Sequence, residues 1–181
     1  IRVMNNDKTK NVEKIISEQE IKNEVSRLGS QISNDYLNKD LVIISVLKSS
    51  VYFLTDLTRY IDIPLHIDFL EIDRVPNSSD NTGIVRITKD LKIEISNKDV
   101  ILLDVILNTG LTHGYLLQNL ESRNPNSLTL CTLLFNPEKR LVELPVSYSG
   151  FEISDIFLVG YGLDYQEEYR HLPYIGELKR E

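Results

Sequence analysis

The chain has 181 residues, of which 41% are hydrophobic and 26% charged, with a net charge of −7. This balance is that of a soluble globular protein with one domain and a real core. It contains no run of about 18 apolar residues that would argue for a membrane span, and its acidity speaks against nucleic acid as the main partner. The start, Ile1-Arg2-Val3-Met4-Asn5-Asn6, lacks a signal-peptide core, and a first residue other than Met suggests a trimmed beginning. The one cysteine, Cys131, excludes an internal disulfide and fits a reducing cytoplasm. It sits within Leu128-Thr-Leu-Cys-Thr-Leu-Leu134, which reads as a buried strand and makes it a structural thiol rather than a nucleophile.

Ser17-Glu-Gln-Glu20 reads as a capping box. Ile21, Val25, Leu28 and Ile32 follow at helical spacing, which predicts an amphipathic helix over 18–36. Leu41-Val-Ile-Ile-Ser-Val46 is an unbroken apolar run of strand length, as in the centre of a parallel sheet. Lys48, Ser49 and Ser50 form a polar turn, followed by a helix with Leu54, Leu57 and Ile61 on one face that ends before Pro64. A strand is predicted over 65–72, a polar mobile loop over 73–82, and two flap strands over Gly83–Thr88 and Lys92–Ile95. Then come a strand over 100–104, a helix over 111–122, and strands over 127–134 and 156–160. Strands alternating with helices predict an α/β fold around a parallel sheet, with no internal repeat.

Ligands of such sheets bind at the carboxyl ends of the strands. Four polar segments fall there: Lys48-Ser49, Asp104 to Thr112, Asn136 to Arg140, and Gly160 to Arg170. In the second, Val100 to Leu103 lead into Asp104, and Thr109-Gly110-Leu111-Thr112 opens a helix. A small-residue loop at a helix N-terminus is suited to phosphate, because free N–H groups and the positive helix end point at it. An ordinary strand-to-helix turn is the plainer reading. The histidines do not make a metal set: His66 lies on a strand, His171 follows Arg170, and His113 opens a helix beside the expected phosphate turn, where a surface position is the plainer reading and a phosphate contact the alternative.

These segments, in this order, resemble hypoxanthine (guanine) phosphoribosyltransferases from about Val12 to Leu178. The C-terminal run from Gly150 to Gly176 carries most of the likeness. Val46-Leu-Lys-Ser49 is similar to the family's pyrophosphate loop, and Ile84-Val-Arg-Ile-Thr-Lys-Asp90 to its flap strand. The resemblance implies a single type I phosphoribosyltransferase domain over 1–181, with a central parallel sheet flanked by helices and a small flap or hood. It implies transfer of the phosphoribosyl group of phosphoribosyl pyrophosphate (PRPP) to a 6-oxopurine, with Mg2+ bridging pyrophosphate and ribose oxygens. It also implies a homodimer or homotetramer.

Residue by residue, the likeness gives Lys48, Ser49 and Arg170 to pyrophosphate, and Thr109, Gly110, Leu111 and Thr112 to the 5′-phosphate. Asp104 takes the place of the first of two adjacent acids that engage the ribose hydroxyls and the metal, one methylene shorter than the usual Glu. Asp164 matches a magnesium-associated acid, Phe157 the ring that stacks on the purine, and Leu158 a backbone contact to the purine edge. The plainer readings are an exposed loop lysine for Lys48, a solvated pair for Asp164 and Arg170, and a core aromatic for Phe157.

The chain departs from the family pattern at four places. Val105 stands where the second acid belongs. Asn108 stands where the family has the Asp that accepts the purine proton; an amide can donate to the base but is not a general base near neutral pH. Asn136 replaces the Lys that reads the 6-oxo group, with Lys139 or Arg140 as possible substitutes. Asp73-Arg-Val-Pro76 replaces the closing loop. Phosphate and pyrophosphate groups persist while proton-transfer and lid groups are altered, which gives two expectations: a slow purine phosphoribosyltransferase, or an impaired relative that binds PRPP or a purine nucleotide. An RNA-binding regulator on the same fold is a third and weaker reading, since Lys and Arg are scattered among more acids.

Overall fold

The computed structural model describes residues 11–75 and 84–179. A six-stranded sheet forms the centre. It is built from β2 (Leu41–Leu47), β3 (Leu65–Val75), β4 (Ile84–Lys89), β5 (Asp99–Leu107), β6 (Ser127–Phe135) and β7 (Val146–Glu152), in the order β4-β3-β2-β5-β6-β7. The pairs β2–β3, β2–β5, β5–β6 and β6–β7 are parallel, and only β4 runs antiparallel, against β3. A second sheet, ordered β1-β9-β8, gathers Val12–Ile16 (β1), Leu158–Val159 (β8) and Ile175–Leu178 (β9) into an antiparallel hood.

The helices cover both faces of the central sheet. On one face α1 (Glu18–Asp35) and α2 (Val51–Thr58) pack Val25, Leu28, Phe53 and Leu57 onto Ile43, Ile101 and Leu103. On the other, α3 (Leu111–Glu121) packs Leu116, Leu117 and Leu120 onto Val42, Ile44, Val100 and Leu102. Alternate residues of one strand thus serve two cores, which is why β2 and β5 read as unbroken apolar runs. α1 starts on the expected capping box: Ser17 and Glu20 exchange side-chain-to-backbone hydrogen bonds. Cys131 is fully buried between β5 and β7.

Several expectations need correction. Residues 91–95 form no strand, because the Asp68 carboxylate accepts the Lys92 and Ile93 N–H groups at 2.6 and 2.8 Å and takes those donors out of any ladder. The strand expected over 156–160 shrinks to Leu158–Val159, since Ile156 N–H turns back to Ser154 and Gly160 enters a bridge with Leu163. The start of the expected 73–82 loop continues β3 through Val75, and the remainder lies outside the described residues. β1, β7 and β9 have no counterpart in the sequence reading.

Candidate active site

At the carboxyl ends of β2 and β5 lies a cavity of about 190 Å3. Ser49, Asp104, Asn108, Thr109, Gly110 and Thr112 all line it, so six of the residues singled out from the sequence converge on one space. β5 makes this possible by its alternation. Asp104 and Ile106 are partly exposed toward the cavity, whereas Val105, between them, is fully buried in the core under α1 and α2.

α3 begins at the cavity without a side-chain cap. Its first N–H groups have no carbonyl partner one turn back in the helix, the Leu111 N–H making a long 3.5 Å bond to the Thr109 hydroxyl, and the helix dipole adds to the pull of this end on an anion. Gly110 at the cap has φ of +81°, and a Cβ there would meet Val142 at 2.9 Å and Leu144 at 3.0 Å. Only glycine satisfies both constraints. Leu111, the first helical residue, is exposed, so its contribution is its backbone.

Asp104 is fastened at both carboxylate oxygens. Oδ1 accepts the Val105 N–H at 2.8 Å and the Ser49 hydroxyl at 3.4 Å, and Oδ2 lies 3.0 Å from Nε2 of His113. His113 is therefore not a surface residue. It is 6% exposed and sits on the inward face of α3 with Leu116, Leu117 and Leu120. That i, i+3, i+4, i+7 spacing was the signal available for its burial.

A second cluster adjoins the first. Arg170 forms an ion pair with Asp164 at 2.8 Å and donates to Glu167 at 3.2 Å and to the Gly162 carbonyl at 2.8 Å, while its Nε is a buried polar atom with no partner among the described residues. Asp164 Oδ2 accepts the Glu167 N–H at 3.0 Å. Lys48 reaches the same Glu167 at 3.1 Å. Glu167 was not singled out from the sequence. Its hydrogen bond from Lys48, and then the charges of Arg170 and Lys48, hold its carboxyl below the usual range. Asp164 and Arg170 are indeed paired, but partly buried and bound into this network. The two clusters touch through Gly162, whose φ is +97° and whose missing Cβ leaves room for the Ser49 carbonyl.

The three residues expected at a purine do not line this cavity. Phe157 is 37% exposed and meets Tyr165 edge-on, with ring centroids 5.7 Å apart, so it is no core aromatic. Leu158 is buried and lies on β8, the edge strand of the hood. Asn136 is 2% exposed, and its amide oxygen accepts the Glu138 and Lys139 N–H groups at 3.0 and 3.2 Å, which uses that oxygen inside its own turn. Lys139 pairs with Asp155, and Arg140 turns to the Val142 and Leu144 carbonyls.

Residues 11–166 match the phosphoribosyl transferase domain family. A hypoxanthine-guanine phosphoribosyltransferase of Dictyostelium discoideum is 44% identical over 173 residues, 93% of this chain and 96% of that protein. This chain belongs to the hypoxanthine-guanine phosphoribosyltransferase family. The crystal structure of a hypoxanthine phosphoribosyltransferase from Staphylococcus aureus superposes with a TM-score of 0.91 at 43% identity, covering 97% of this chain and 96% of that one. That of a hypoxanthine-guanine phosphoribosyltransferase from Bacillus anthracis gives 0.88 at 39% identity, covering 92% and 98%. The fold expected from the sequence, a type I phosphoribosyltransferase, is thus the fold of the family.

Among the described residues no group of three or more His, Cys, Asp or Glu side chains could hold a metal alone. The Asp164 carboxylate has the oxygen donors that magnesium takes, whereas the Asp104 oxygens are largely occupied by Val105, Ser49 and His113. Magnesium is usually held by one or two carboxylates together with substrate phosphates. Among the described residues no helix is long and apolar enough to cross a membrane.

Proposed function

We propose that this chain transfers the phosphoribosyl group of PRPP to hypoxanthine or guanine, releasing pyrophosphate and a purine nucleoside monophosphate, and that it does so slowly. The observation that carries this reading is the cavity that joins an uncapped helix N-terminus to Asp104 and Asn108, on the fold of the family. In this reading Thr109, Gly110, Leu111 and Thr112 hold the 5′-phosphate through N–H and hydroxyl donors. Asp104 orients the ribose hydroxyls. Lys48, Ser49 and Arg170 take the pyrophosphate, and the unpartnered Nε of Arg170 supports that role. Phe157 offers a ring face to the purine, and the open edge of Leu158 offers backbone groups. The tied-up oxygen of Asn136 confines it to donating from its amide nitrogen.

Asp164 would hold Mg2+ together with the substrate's phosphates, while Asp104, three of whose acceptor sites are already taken, serves the ribose. Magnesium would neutralise charge on the leaving group. Asn108 can donate to the purine ring but cannot take its proton, and general acid–base catalysis typically contributes ~10²–10⁴-fold. This is the source of the slowness. The whole chain as one phosphoribosyltransferase domain, a homodimer or homotetramer, and a cytoplasmic location, which the free thiol Cys131 supports, belong to the same reading.

The test is turnover with PRPP, magnesium and each of hypoxanthine, guanine, xanthine and adenine, for the wild type and for Asn108→Asp. Slow formation of IMP or GMP, raised by about 10²-fold in the variant, is the expected result. If neither protein turns over while both bind IMP or PRPP, the chain is a nucleotide-binding relative and not an enzyme.

A further inference from the structure

We propose that His113 is a positioning residue that holds Asp104 in place to receive the ribose of PRPP, an inference that rests on the phosphoribosyl-transfer reading above. A carboxylate offers about four lone-pair sites. Three of those on Asp104 are occupied: by Val105 N–H at 2.8 Å, by the Ser49 hydroxyl at 3.4 Å, and by Nε2 of His113 at 3.0 Å. The site left open is where a ribose hydroxyl donates.

The need for such a clamp follows from the strand. Val105 turns into the core, so no second acid shares the work, and the Asp104 carboxylate is alone on this stretch of β5. The Val105 N–H and Ser49 bonds fix only Oδ1, which leaves rotation about the Cβ–Cγ bond to be stopped at Oδ2. His113 stops it. Its side chain is 7% exposed and is carried on the buried face of α3, so packing fixes the ring before any ligand arrives. A ligating group whose own rotamer is locked by a neighbour loses little freedom on binding. His113 also lines the cavity, so the clamp stands at the site itself.

The experiment measures PRPP and pyrophosphate binding by calorimetry in magnesium buffer. The proteins are the wild type, His113→Leu, His113→Gln, Asp104→Asn and the His113→Leu/Asp104→Asn double variant. Asp104 serves the ribose and not the pyrophosphate. His113→Leu should therefore weaken PRPP about tenfold and leave pyrophosphate unchanged. His113→Gln, which keeps an amide donor, should restore most of the loss. In the double variant the His113 change should cost nothing beyond Asp104→Asn alone. Wild-type PRPP affinity in His113→Leu, equal loss of PRPP and pyrophosphate, or no rescue by Gln overturns the inference while the functional reading stands. A wild type that binds neither PRPP nor GMP overturns both.

Discussion

Lys48 Nζ lies 3.1 Å from Glu167 Oε2, an ion pair closed across 119 residues of sequence. Arg170 holds the other oxygen of the same carboxylate. Both cations assigned to pyrophosphate are thus engaged by an internal anion, which a ligand must displace. Glu167→Gln should tighten pyrophosphate binding. Because Lys48 and Glu167 are well exposed, the gain is small, roughly two- to fivefold. Calorimetric titration with pyrophosphate measures it, and weaker binding in the variant would show that Glu167 helps to build the site.

Restoring an acid at position 105 should not restore a site. Val105 is fully buried beneath α1 and α2, and an aspartate there would place an uncompensated charge in the core. Val105→Asp should lose roughly 3–5 kcal/mol in urea denaturation. Its PRPP affinity should not exceed that of the wild type.

Asp68 fastens the segment after β4 to the sheet. Burial pushes its carboxyl up, but the Ile93, Phe69 and Lys92 N–H groups and the Lys89 ammonium outweigh this and hold it below the usual range. A carboxyl depressed in the fold contributes stability that is complete above its unfolded value of about 3.9 and is lost as pH falls through the lower folded value. Asp68→Asn removes one oxygen acceptor and should cost about 1–3 kcal/mol at neutral pH. The gap between the two proteins should narrow below about pH 4. Denaturant titrations at stepped pH test this, and a constant gap would contradict it.

Cys131 should be inert in the native protein. Burial holds its thiol far above the ordinary range, only weakly opposed by Arg27. The thiolate is the reactive form. Iodoacetamide should leave the folded chain unmodified and label it fully in urea, as mass spectrometry would show.

The sequence was most legible where one short run carried all the information. Leu41 to Val46 and Val100 to Leu103 had to be central strands because both faces are covered, and Asp104 to Thr112 placed a cavity-lining acid and a cavity-lining helix start within nine residues. The outlying strands were hidden by their solvation: β1 has a single buried position, and β7 is an edge strand of mixed polarity. Asp68 erased an expected strand by a bond across 24 residues, which no local pattern carries. The burial of His113 was written in its helical spacing, but its pairing with Asp104 and that of Glu167 with Lys48 were not. The partner of each is set by how helix and loop pack against β5 and β2.

Gly162 brings no side chain to the site, yet it governs the distance between two loops. The turn after β8 rests on the Ser49 carbonyl with no room for a methyl group. The loop of Lys48 and Ser49 and the turn that carries Asp164 and Arg170 are therefore in direct backbone contact. A side chain at 162 would wedge the two loops apart and separate Lys48 from Arg170, so in the proposed reading a screen of variants would count this glycine among the pyrophosphate residues although it has no side chain to offer.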